Sequence, residues 1–208
     1  MTAPTSSRDA GSGAPLDGAD QHVPGQHQLG PVVGRFDDAV DDALERVRGN
    51  PIIDRVFTTA SHVGDFSLIW HAIGIGRSLA RRSPRQAVTL AILLGIESIV
   101  VNQGVKRLFR RPRPTVAGDD GLKVRQPSTS SFPSGHASSA TFASTTLARW
   151  DGPVWGALWY SIAAVVGSSR AYVRIHHASD VVAGMVTGRI LAAIARKALR
   201  RFGLTRLI

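Results

Sequence analysis

The 208-residue sequence predicts an all-α bundle of five to six helices that cross a membrane. Five apolar segments support this, at about 65–80, 86–105, 133–149, 153–172 and 179–198. A membrane-spanning helix needs roughly 20 mainly apolar residues, and the second and fourth segments meet that length. The other three are marginal in length but rich in Gly, Ala, Ser and Thr, the residues that close helix packing in a bilayer requires. A soluble bundle with buried helices is the alternative.

The first 30 residues differ sharply from the rest of the chain. They are rich in Gly, Ser, Pro, Asp and Gln, so they cannot bury enough apolar surface to become ordered. We predict a disordered tail there, without the apolar stretch of a signal peptide. Residues 33–49 repeat apolar side chains at three- and four-residue spacings, which predicts an amphipathic helix packed on its own protein and ended by Asn50-Pro51. The predicted organisation is therefore a tail (1–30), an amphipathic or interfacial helical region (31–60) and a transmembrane domain (61–208).

The composition narrows the possible partners. The chain carries 25 Lys and Arg against 15 Asp and Glu, a formal net charge of +10, which suits nucleic acid, anionic lipid or phosphate. The basic residues cluster at helix ends and in one loop, not along a face with interleaved aromatic residues, so no nucleic acid is expected. The absence of cysteine from the sequence excludes disulfides, thiolate metal sites and cysteine nucleophiles.

Three polar clusters interrupt the apolar segments. They are VKRLFRRPRP after the second segment, SSFPSGHASS at the start of the third, and SSRAYVRIHHASD between the fourth and the fifth. If the second segment leaves the membrane on one face, the third starts on that face and the fourth returns to it. All three clusters therefore share one face, whatever the absolute orientation. Basic residues at a membrane boundary explain one such cluster, but not three that converge with two histidines and an aspartate.

The converging residues suit the binding of a phosphate and the cleavage of a bond to it. Arg113 and Arg170 offer planar guanidinium groups that match phosphate oxygens, and Lys106 adds a point charge. His176 and Asp180 are four residues apart, so they share one face of a helix that begins near them. A carboxylate bonded to one imidazole nitrogen fixes the tautomer and makes the other nitrogen a better nucleophile. We therefore expect a catalytic histidine and not a structural one.

The motif PSGH predicts an anion site at the start of the third segment. Pro133 suits the first turn of a helix, and the amides around Ser134, Gly135 and His136 then have no partner within that helix. Those amides and the helix dipole attract an anion, and Gly135 lets the backbone approach it closely. This stretch is therefore predicted to cradle a phosphate.

The three clusters together resemble the signature of the type 2 phosphatidic acid phosphatase (PAP2) superfamily, which also contains bacterial acid phosphatases and vanadium haloperoxidases. The resemblance covers about residues 60–198, and all eleven positions that the signature specifies match in order and spacing. They are Lys106, Arg113-Pro114, Pro133-Ser134-Gly135-His136, Ser169-Arg170, His176 and Asp180. The resemblance implies a membrane-embedded helical bundle of the PAP2 and haloperoxidase type.

The resemblance also implies a phosphatase that needs no metal and no other cofactor. It implies that His176 attacks phosphorus to form a phosphohistidine, that Asp180 orients it, and that His136 protonates the leaving oxygen. The residues implied to hold the phosphoryl oxygens are Lys106, Arg113, Ser134, Gly135 and Arg170. The implied substrate is a membrane lipid phosphate, either phosphatidate-like or a polyprenyl phosphate or diphosphate. The alternatives are a vanadate-dependent haloperoxidase and a catalytically silent lipid-binding membrane protein.

The distribution of basic residues predicts how a multi-pass protein lies in the cell membrane. Outside the N-terminal region, and without the three expected phosphate ligands, the site face carries six Lys and Arg, whereas the other face and the helix ends carry eleven. Lys and Arg accumulate on the cytoplasmic side of membrane proteins, so the active site is expected on the extracytoplasmic face.

Two polar residues lie within apolar segments, His71 in the first and Glu97 in the second. Ionisable groups inside a bilayer are often functional. For both residues we nevertheless predict a structural contact between helices.

Overall fold

The structure is a computed structural model that describes residue 25, residues 27–115 and residues 129–204. Over these ranges the chain forms six α-helices and no β-strand, so the predicted all-α bundle is confirmed. Apart from residues 25 and 27–30, the predicted tail lies outside the described residues. The helices are α1 (Pro31–Glu45), α2 (Pro51–Gly64), α3 (Leu68–Arg81), α4 (Pro84–Ile99), α5 (Gly135–Tyr172) and α6 (Ala178–Arg201).

Residues 31–64 form two helices where the sequence predicted one over 33–49. The first helix, α1, ends at Glu45, and Asn50-Pro51 begins α2 instead of ending α1. The Asn50 Oδ1 atom accepts hydrogen bonds from the amides of Ile52 and Ile53 at 3.0 and 3.3 Å. Asn is favoured at this position because it satisfies amides that have no partner within the helix, and Pro fits the first turn because it lacks such an amide.

The helix α1 packs against α5 and α6, but not simply through its apolar stripe. Gly34 and Asp37 are its buried residues, whereas Phe36 and Val47 remain exposed. An acidic residue therefore faces the protein, which a pattern of apolar and polar residues does not predict. Asp37 is accommodated because Arg111 and Ser179, on other segments, donate hydrogen bonds to it.

Helical structure continues beyond α4 into the first polar cluster. A π-helical turn at Val100–Gly104 and a 3₁₀ turn at Val105–Leu108 follow α4 without a break. Pro84–Leu108 is therefore one 25-residue apolar segment. A π-helical turn inserts one residue into the helical repeat and so rotates the side chains that follow it. Here Lys106 is buried after this turn.

Helix α5 contains two antiparallel halves, which correspond to the predicted segments 133–149 and 153–172. Gly152 has φ of 80°, a value that suits glycine, and Pro153 follows it. The hydroxyls of Thr145 and Tyr160 lie 3.0 Å apart across the two halves. A Cβ atom built on Gly156 would lie 2.9 Å from the Cβ of Ala148, so the halves pack closely near the turn.

The first half of α5 is the central helix of the bundle. Nearly every residue from 137 to 147 is buried there. Its core partners come from α3, α4 and α6, and include Trp70, Leu90, Leu94 and Ala192. Helix α6 approaches most closely at Gly184 and Gly188, where an added Cβ would meet the carbonyl oxygens of Ser134 and Ser138. Glycine is required at these two positions because the neighbouring backbone occupies the space of a side chain.

The outer faces of α4 and α6 are apolar and exposed. Each helix carries four large aliphatic side chains at nearly regular four-residue spacing, and each side chain is about half exposed: Val88, Ile92, Ile96, Ile99, Val182, Val186, Ile190 and Ile194. Pro84–Leu108 and Ala178–Arg201 are also long and apolar enough to cross a membrane. A soluble bundle rarely exposes continuous apolar stripes of this kind, whereas a lipid-facing surface requires them.

Candidate active site

A cavity of about 430 Å³ opens where the three predicted clusters meet. It is bounded by α3, α4, the turn between α2 and α3, and both ends of α5. Five of the eight predicted site residues line it: Lys106, Gly135, His136, Arg170 and His176. The other three, Arg113, Ser134 and Asp180, do not line the cavity themselves. Arg113 and Asp180 contact His176, and the amide of Ser134 donates to the carbonyl of Asp180.

His176 lies in the short connection between α5 and α6, and both of its ring nitrogens have neighbours. The backbone amides of Ile175 and His176 donate to the carbonyl of Arg170 at 3.1 and 3.0 Å, which fixes the connection. The Nη1 atom of Arg113 lies 3.2 Å from His176 Nε2. Because a guanidinium group can only donate, Nε2 is the acceptor and the ring proton resides on Nδ1. Burial lowers the pKa of His176 to about 3, so the ring is neutral with a lone pair on Nε2.

Asp180 lies on the opposite side of the His176 ring. Its Oδ2 atom is 3.5 Å from His176 Nδ1, a long separation for a direct hydrogen bond. The hydroxyl of Ser131 donates to the same Oδ2 atom and lies 3.4 Å from Nδ1, so it links the two groups. The backbone amide of His177 also donates to Oδ2, at 2.9 Å. The carboxylate is therefore fixed on several sides and can orient the imidazole.

A buried arginine holds the second oxygen of Asp180. Arg111 Nη1 donates to Asp180 Oδ1 at 2.7 Å, and its Nη2 atom donates to Asp37 Oδ2 at 2.7 Å. The amide and hydroxyl of Ser179 also donate to Asp37, at 2.7 and 2.8 Å. All three charged side chains are at most 3% exposed. This network connects α1 to the start of α6 and so supports the residue that orients His176.

Arg170 has unused hydrogen-bonding capacity beside His176. It is 1% exposed, and its Nη1 atom donates to the hydroxyl of Ser61 on α2. Its Nε and Nη2 atoms are buried and have no hydrogen-bond partner within the part of the chain that the structure describes. Buried guanidinium donors are costly when unpaired, and two adjacent N–H groups fit two oxygens of one phosphate. This side chain is therefore arranged for an anion in the cavity.

Two further cations complete the positive side of the cavity. Lys106 is buried, and its Nζ atom lies 3.5 Å from Thr129 Oγ1. Arg113 is fixed by the carbonyls of Ile175 and Thr129, both at 3.0 Å. Burial lowers the pKa of Arg113 to about 10, which leaves it charged at neutral pH.

The start of α5 differs in detail from the predicted phosphate cradle. The helix begins at Gly135 with Ser134 as its N-cap, so Pro133 precedes the helix and is not in its first turn. The amide of Ser134 donates to the carbonyl of Asp180 at 2.9 Å, and its hydroxyl accepts from Ala137 at 3.4 Å. Ser134 therefore connects α5 to α6. The amides of the first helical residues, Gly135 and His136, are the ones that have no acceptor within the helix.

A second pair of a histidine and a carboxylate lies across the cavity. The Nε2 atom of His136 is 3.0 Å from Oδ1 of Asp65, in the turn between α2 and α3. Both residues line the cavity that His176 also lines. Two of the histidines that line the cavity, His136 and His176, therefore each have their own carboxylate partner.

Several residues of this site were not singled out from the sequence. Ser131, Arg111, Asp37 and Asp65 lie outside the signature and were given no role. Ser131 and Arg111 do lie within the quoted polar clusters. The predicted contact of Glu97 with another helix is present, because the hydroxyl of Ser138 donates to its carboxyl group. Glu97 and His71 also line the cavity, whereas the sequence predicted for them only a contact between helices.

The chain belongs to the PAP2 superfamily, whose family model matches residues 86–203. It is therefore a phosphatase of the PAP2 type. It is 34% identical over 154 residues to a decaprenylphosphoryl-5-phosphoribose phosphatase of Mycolicibacterium smegmatis, over 72% of this chain and 82% of the relative. A protein of the same name from Mycobacterium tuberculosis is 29% identical over 137 residues, which cover 64% of this chain and 73% of the relative.

Two solved structures share the fold. The transmembrane PAP2-type phosphatidylglycerolphosphate phosphatase of Bacillus subtilis has a TM-score of 0.63 at 24% identity, over 82% of this chain and 87% of that chain. LpxE of Aquifex aeolicus has a TM-score of 0.62 at 25% identity, over 76% of this chain and 93% of that chain. This likeness and the two apolar helices support association with a membrane.

Proposed function

We propose that the chain is an integral membrane phosphatase that hydrolyses the phosphate monoester of a polyprenyl-linked phosphosugar through a phosphohistidine on His176. The observation that carries this proposal is the pair of unpartnered, buried donors on Arg170 beside the lone pair of His176. A phosphate between them pairs with the guanidinium group and lies within reach of the imidazole. Phosphoryl transfer depends mainly on such positioning and on charge stabilisation.

In the first step, the His176 Nε2 lone pair attacks phosphorus and forms a P–N bond while the bond from phosphorus to the sugar oxygen breaks. Arg113 already lies 3.2 Å from Nε2 and can move its hydrogen bond to a phosphoryl oxygen. Lys106 and Arg170 offset the negative charge of the transition state. His136 donates a proton to the leaving oxygen, and Asp180 stabilises the positive charge that develops on His176.

In the second step, water replaces the sugar in the cavity. The neutral His136 removes a proton from that water as the oxygen attacks phosphorus. The P–N bond breaks, its electron pair returns to His176 Nε2, and inorganic phosphate leaves. The net reaction is the hydrolysis of one phosphomonoester by one water molecule, and the enzyme returns to its starting protonation state.

The walls of the cavity support a hydroxyl-rich leaving group. Beyond the signature residues, the lining includes the polar side chains of Ser67, His71, Glu97, Ser98 and Asn102. Such groups can hydrogen-bond the hydroxyls of a sugar, whereas a diacylglycerol offers few donors. The relatives at 34% and 29% identity are named for a phosphoribose carried on a decaprenyl phosphate. Both the lining and the relatives support this substrate class.

The shape of the cavity supports access from the bilayer. Its lining on α4 and on the π-helical turn after α4 extends from Ala91 to Asn102, about 16 Å at 1.5 Å per residue, and becomes apolar at Leu94 and Ala91. The outer face of α4 is one of the exposed apolar stripes. A polyprenyl chain can therefore lie along α4 while its phosphosugar reaches the two histidines.

We further propose that α3, α4, both halves of α5 and α6 each cross the membrane, with the active site on the extracytoplasmic face. The two halves of α5 run antiparallel to each other, which supports counting them as two separate crossings. The excess of Lys and Arg on the opposite face and at the helix ends supports the orientation.

The test is phosphate release by the detergent-purified protein, in the presence of a chelator, from a panel of lipid phosphates. The panel contains a polyprenylphosphoryl phosphosugar, polyprenyl mono- and diphosphates, phosphatidate and phosphatidylglycerol phosphate. His176→Ala is the test variant, and the exposed His62→Ala is its matched control. We expect the phosphosugar lipid to be preferred, His62→Ala to remain active and His176→Ala to be inactive. Equal activity of the two variants would contradict the mechanism, and preference for phosphatidate would contradict the substrate class.

A further inference from the structure

The turn that joins α2 to α3 is shaped around His136. Asp65 begins this turn and bonds His136 Nε2 at 3.0 Å, with the two side chains 25% and 16% exposed. A Cβ atom built on Gly64 would lie 2.7 Å from His136 Cδ2, so a residue without a side chain is needed beside the ring. The contact therefore involves both the side chain of Asp65 and the backbone that precedes it.

The same turn contains an uncommon backbone conformation. Phe66 and Ser67 have φ of 52° and 59°, in the left-handed region that residues other than glycine rarely adopt. The left-handed conformation is less favourable than an ordinary one for residues with a side chain. Such strain persists only where surrounding structure enforces it, and it is concentrated at functional sites. Here the two strained residues immediately follow Asp65 and also line the cavity.

The electrostatic surroundings of His136 explain why a carboxylate is needed there. Burial disfavours a positive charge on the ring, and the nearby cations Arg170 and Lys106 disfavour it further. A proton donor for the leaving group must nevertheless begin the reaction protonated. Asp65 is the carboxylate that bonds His136, and it opposes the two cations. The remaining titratable groups that line the cavity or face Asp65 are His62, His71, Glu97 and His176.

We propose that Asp65 is a positioning residue for the proton-transfer step, which holds the His136 ring and stabilises its doubly protonated form. This role rests on the proposed function. With Nε2–H bonded to Asp65, the Nδ1–H group is the one that remains for the leaving oxygen. The Nδ1 proton moves to that oxygen as the P–O bond breaks, and Nδ1 later accepts a proton from the attacking water. The site thus has one histidine–carboxylate pair for attack and a second pair for proton transfer.

The first test compares two substrates in Asp65→Asn. One is n-octyl phosphate, whose alkoxide needs a proton to leave, and the other is p-nitrophenyl phosphate, whose phenolate leaves without one. General acid catalysis contributes about 10²–10⁴-fold, so we expect kcat/KM for octyl phosphate to fall about ten- to a hundredfold. The value for p-nitrophenyl phosphate is expected to change less than about threefold on the same basis. Asp65→Glu restores a carboxylate and should recover part of the loss.

The pH–rate profile gives a second readout that a structural role would not change. Removing the carboxylate makes the ring lose its proton more easily, so the basic limb for octyl phosphate should move to lower pH in Asp65→Asn. Asp54→Asn is the matched control, because Asp54 also lies on the α2 side of the site but accepts from the hydroxyl of Tyr172 at 2.5 Å. That variant should affect both substrates equally. An equal loss for both substrates in Asp65→Asn, with an unchanged profile, would overturn the proposal.

A third measurement separates failure of this inference from failure of the proposed function. NMR of ¹⁵N-histidine-labelled protein without substrate reports the fraction of His136 that is doubly protonated near neutral pH, with His136→Gln to assign the signal. We expect this fraction to fall in Asp65→Asn and to be unchanged in Asp54→Asn. An unchanged fraction in Asp65→Asn would overturn the inference even if the wild-type enzyme is active. A fall in that fraction supports the inference even if no lipid tested is a substrate.

Discussion

Replacing Arg170 by methionine should stabilise the protein while it weakens phosphate binding. Two of the buried nitrogens of Arg170 have no partner among the described residues, and each unsatisfied buried donor costs about 1–3 kcal/mol. Methionine fills a similar volume and removes both donors; the lost attraction of Arg170 to Asp65 is opposed by the relief of its repulsion with Lys106 and Arg113. The bond to Ser61 is lost, at a cost of about 1 kcal/mol. The expected net gain in the free energy of unfolding is about 2 kcal/mol.

This gain corresponds to a rise in Tm of about 4–8 °C for a chain of this length. The four tryptophans allow unfolding in detergent to be followed by their fluorescence, without a label. Activity should fall in the same variant, because two charge-assisted hydrogen bonds to the phosphate, each worth about 1.5–3 kcal/mol, are lost. That loss lowers kcat/KM by about 10²–10⁴-fold. Orthovanadate should raise the Tm of the wild type but not that of Arg170→Met.

The matched control is Arg77→Met at the opposite end of the bundle. The Arg77 guanidinium is also largely buried, but it is paired with Asp151 and Gln86, both at 2.6 Å. Its removal should lower Tm, because it leaves a buried carboxylate without its partner. If Arg170→Met lowers Tm as much as Arg77→Met, then the unpaired donors of Arg170 do not destabilise the protein in the absence of an anion, and this prediction is wrong.

Three further predictions concern stability, and each is measured from thermal or denaturant unfolding. The pKa of His176 is lowered in the folded protein, so the unfolded chain binds a proton at a higher pH than the folded protein does. Above about pH 6.5 this group should not affect the free energy of unfolding, which should then fall by up to about 1.4 kcal/mol per pH unit as the pH decreases towards 3. The same pH dependence in His176→Asn would contradict this. Arg111→Met should cost about 3–5 kcal/mol because it leaves two buried carboxylates uncompensated, and an unchanged Tm would show that the network is not structural. Gly188→Ala should cost about 1–3 kcal/mol through overpacking. Gly76→Ala, which has no described atom within 4 Å, should instead stabilise by up to about 1 kcal/mol because alanine is the better helix former; equal effects would contradict the close approach of α6.

The sequence predicted the helical segments and the convergence of the signature because both depend on local information. The apolar segments at about 86–105, which has bilayer length, and 179–198, which is marginal in length, locate α4 and α6, and the alternating direction of successive crossings places the three clusters at one end. The spacing of His176 and Asp180 places them on the same side at the start of α6. These features need only the helical repeat and the alternation of direction between successive crossings.

The supporting contacts could not be predicted because they join residues that are far apart in sequence. Asp65 and His136 are separated by 71 positions, and Arg111 and Asp37 by 74. No periodicity relates such pairs, and the contacts depend on how α1 and α2 pack over the end of the bundle. Asp37 also contradicts its own pattern, since an aspartate on the polar side of an amphipathic helix is expected to face water. It is buried only because Arg111 and Ser179 supply enough donors.

The glycines of α6 illustrate a similar limit. The sequence indicated close helix packing from the number of small residues, but not which of them touch another helix. Gly184 and Gly188 contact the backbone of the central helix, whereas Gly76 in α3 has open space around it. Both kinds of glycine look alike in a sequence, and only the three-dimensional packing distinguishes them.

In the proposed mechanism His176 carries the phosphoryl group during turnover, and this phosphohistidine can be trapped and identified. Purified protein would be mixed with p-nitrophenyl phosphate, quenched in alkali because P–N bonds are labile in acid, and digested for mass spectrometry. The His136→Ala variant should accumulate the intermediate, since it still forms the P–N bond with this leaving group but no longer activates the water. We predict a phosphate on His176 in that variant and none in His176→Ala. Phosphate on a different residue, or full activity in His176→Ala, would contradict the mechanism.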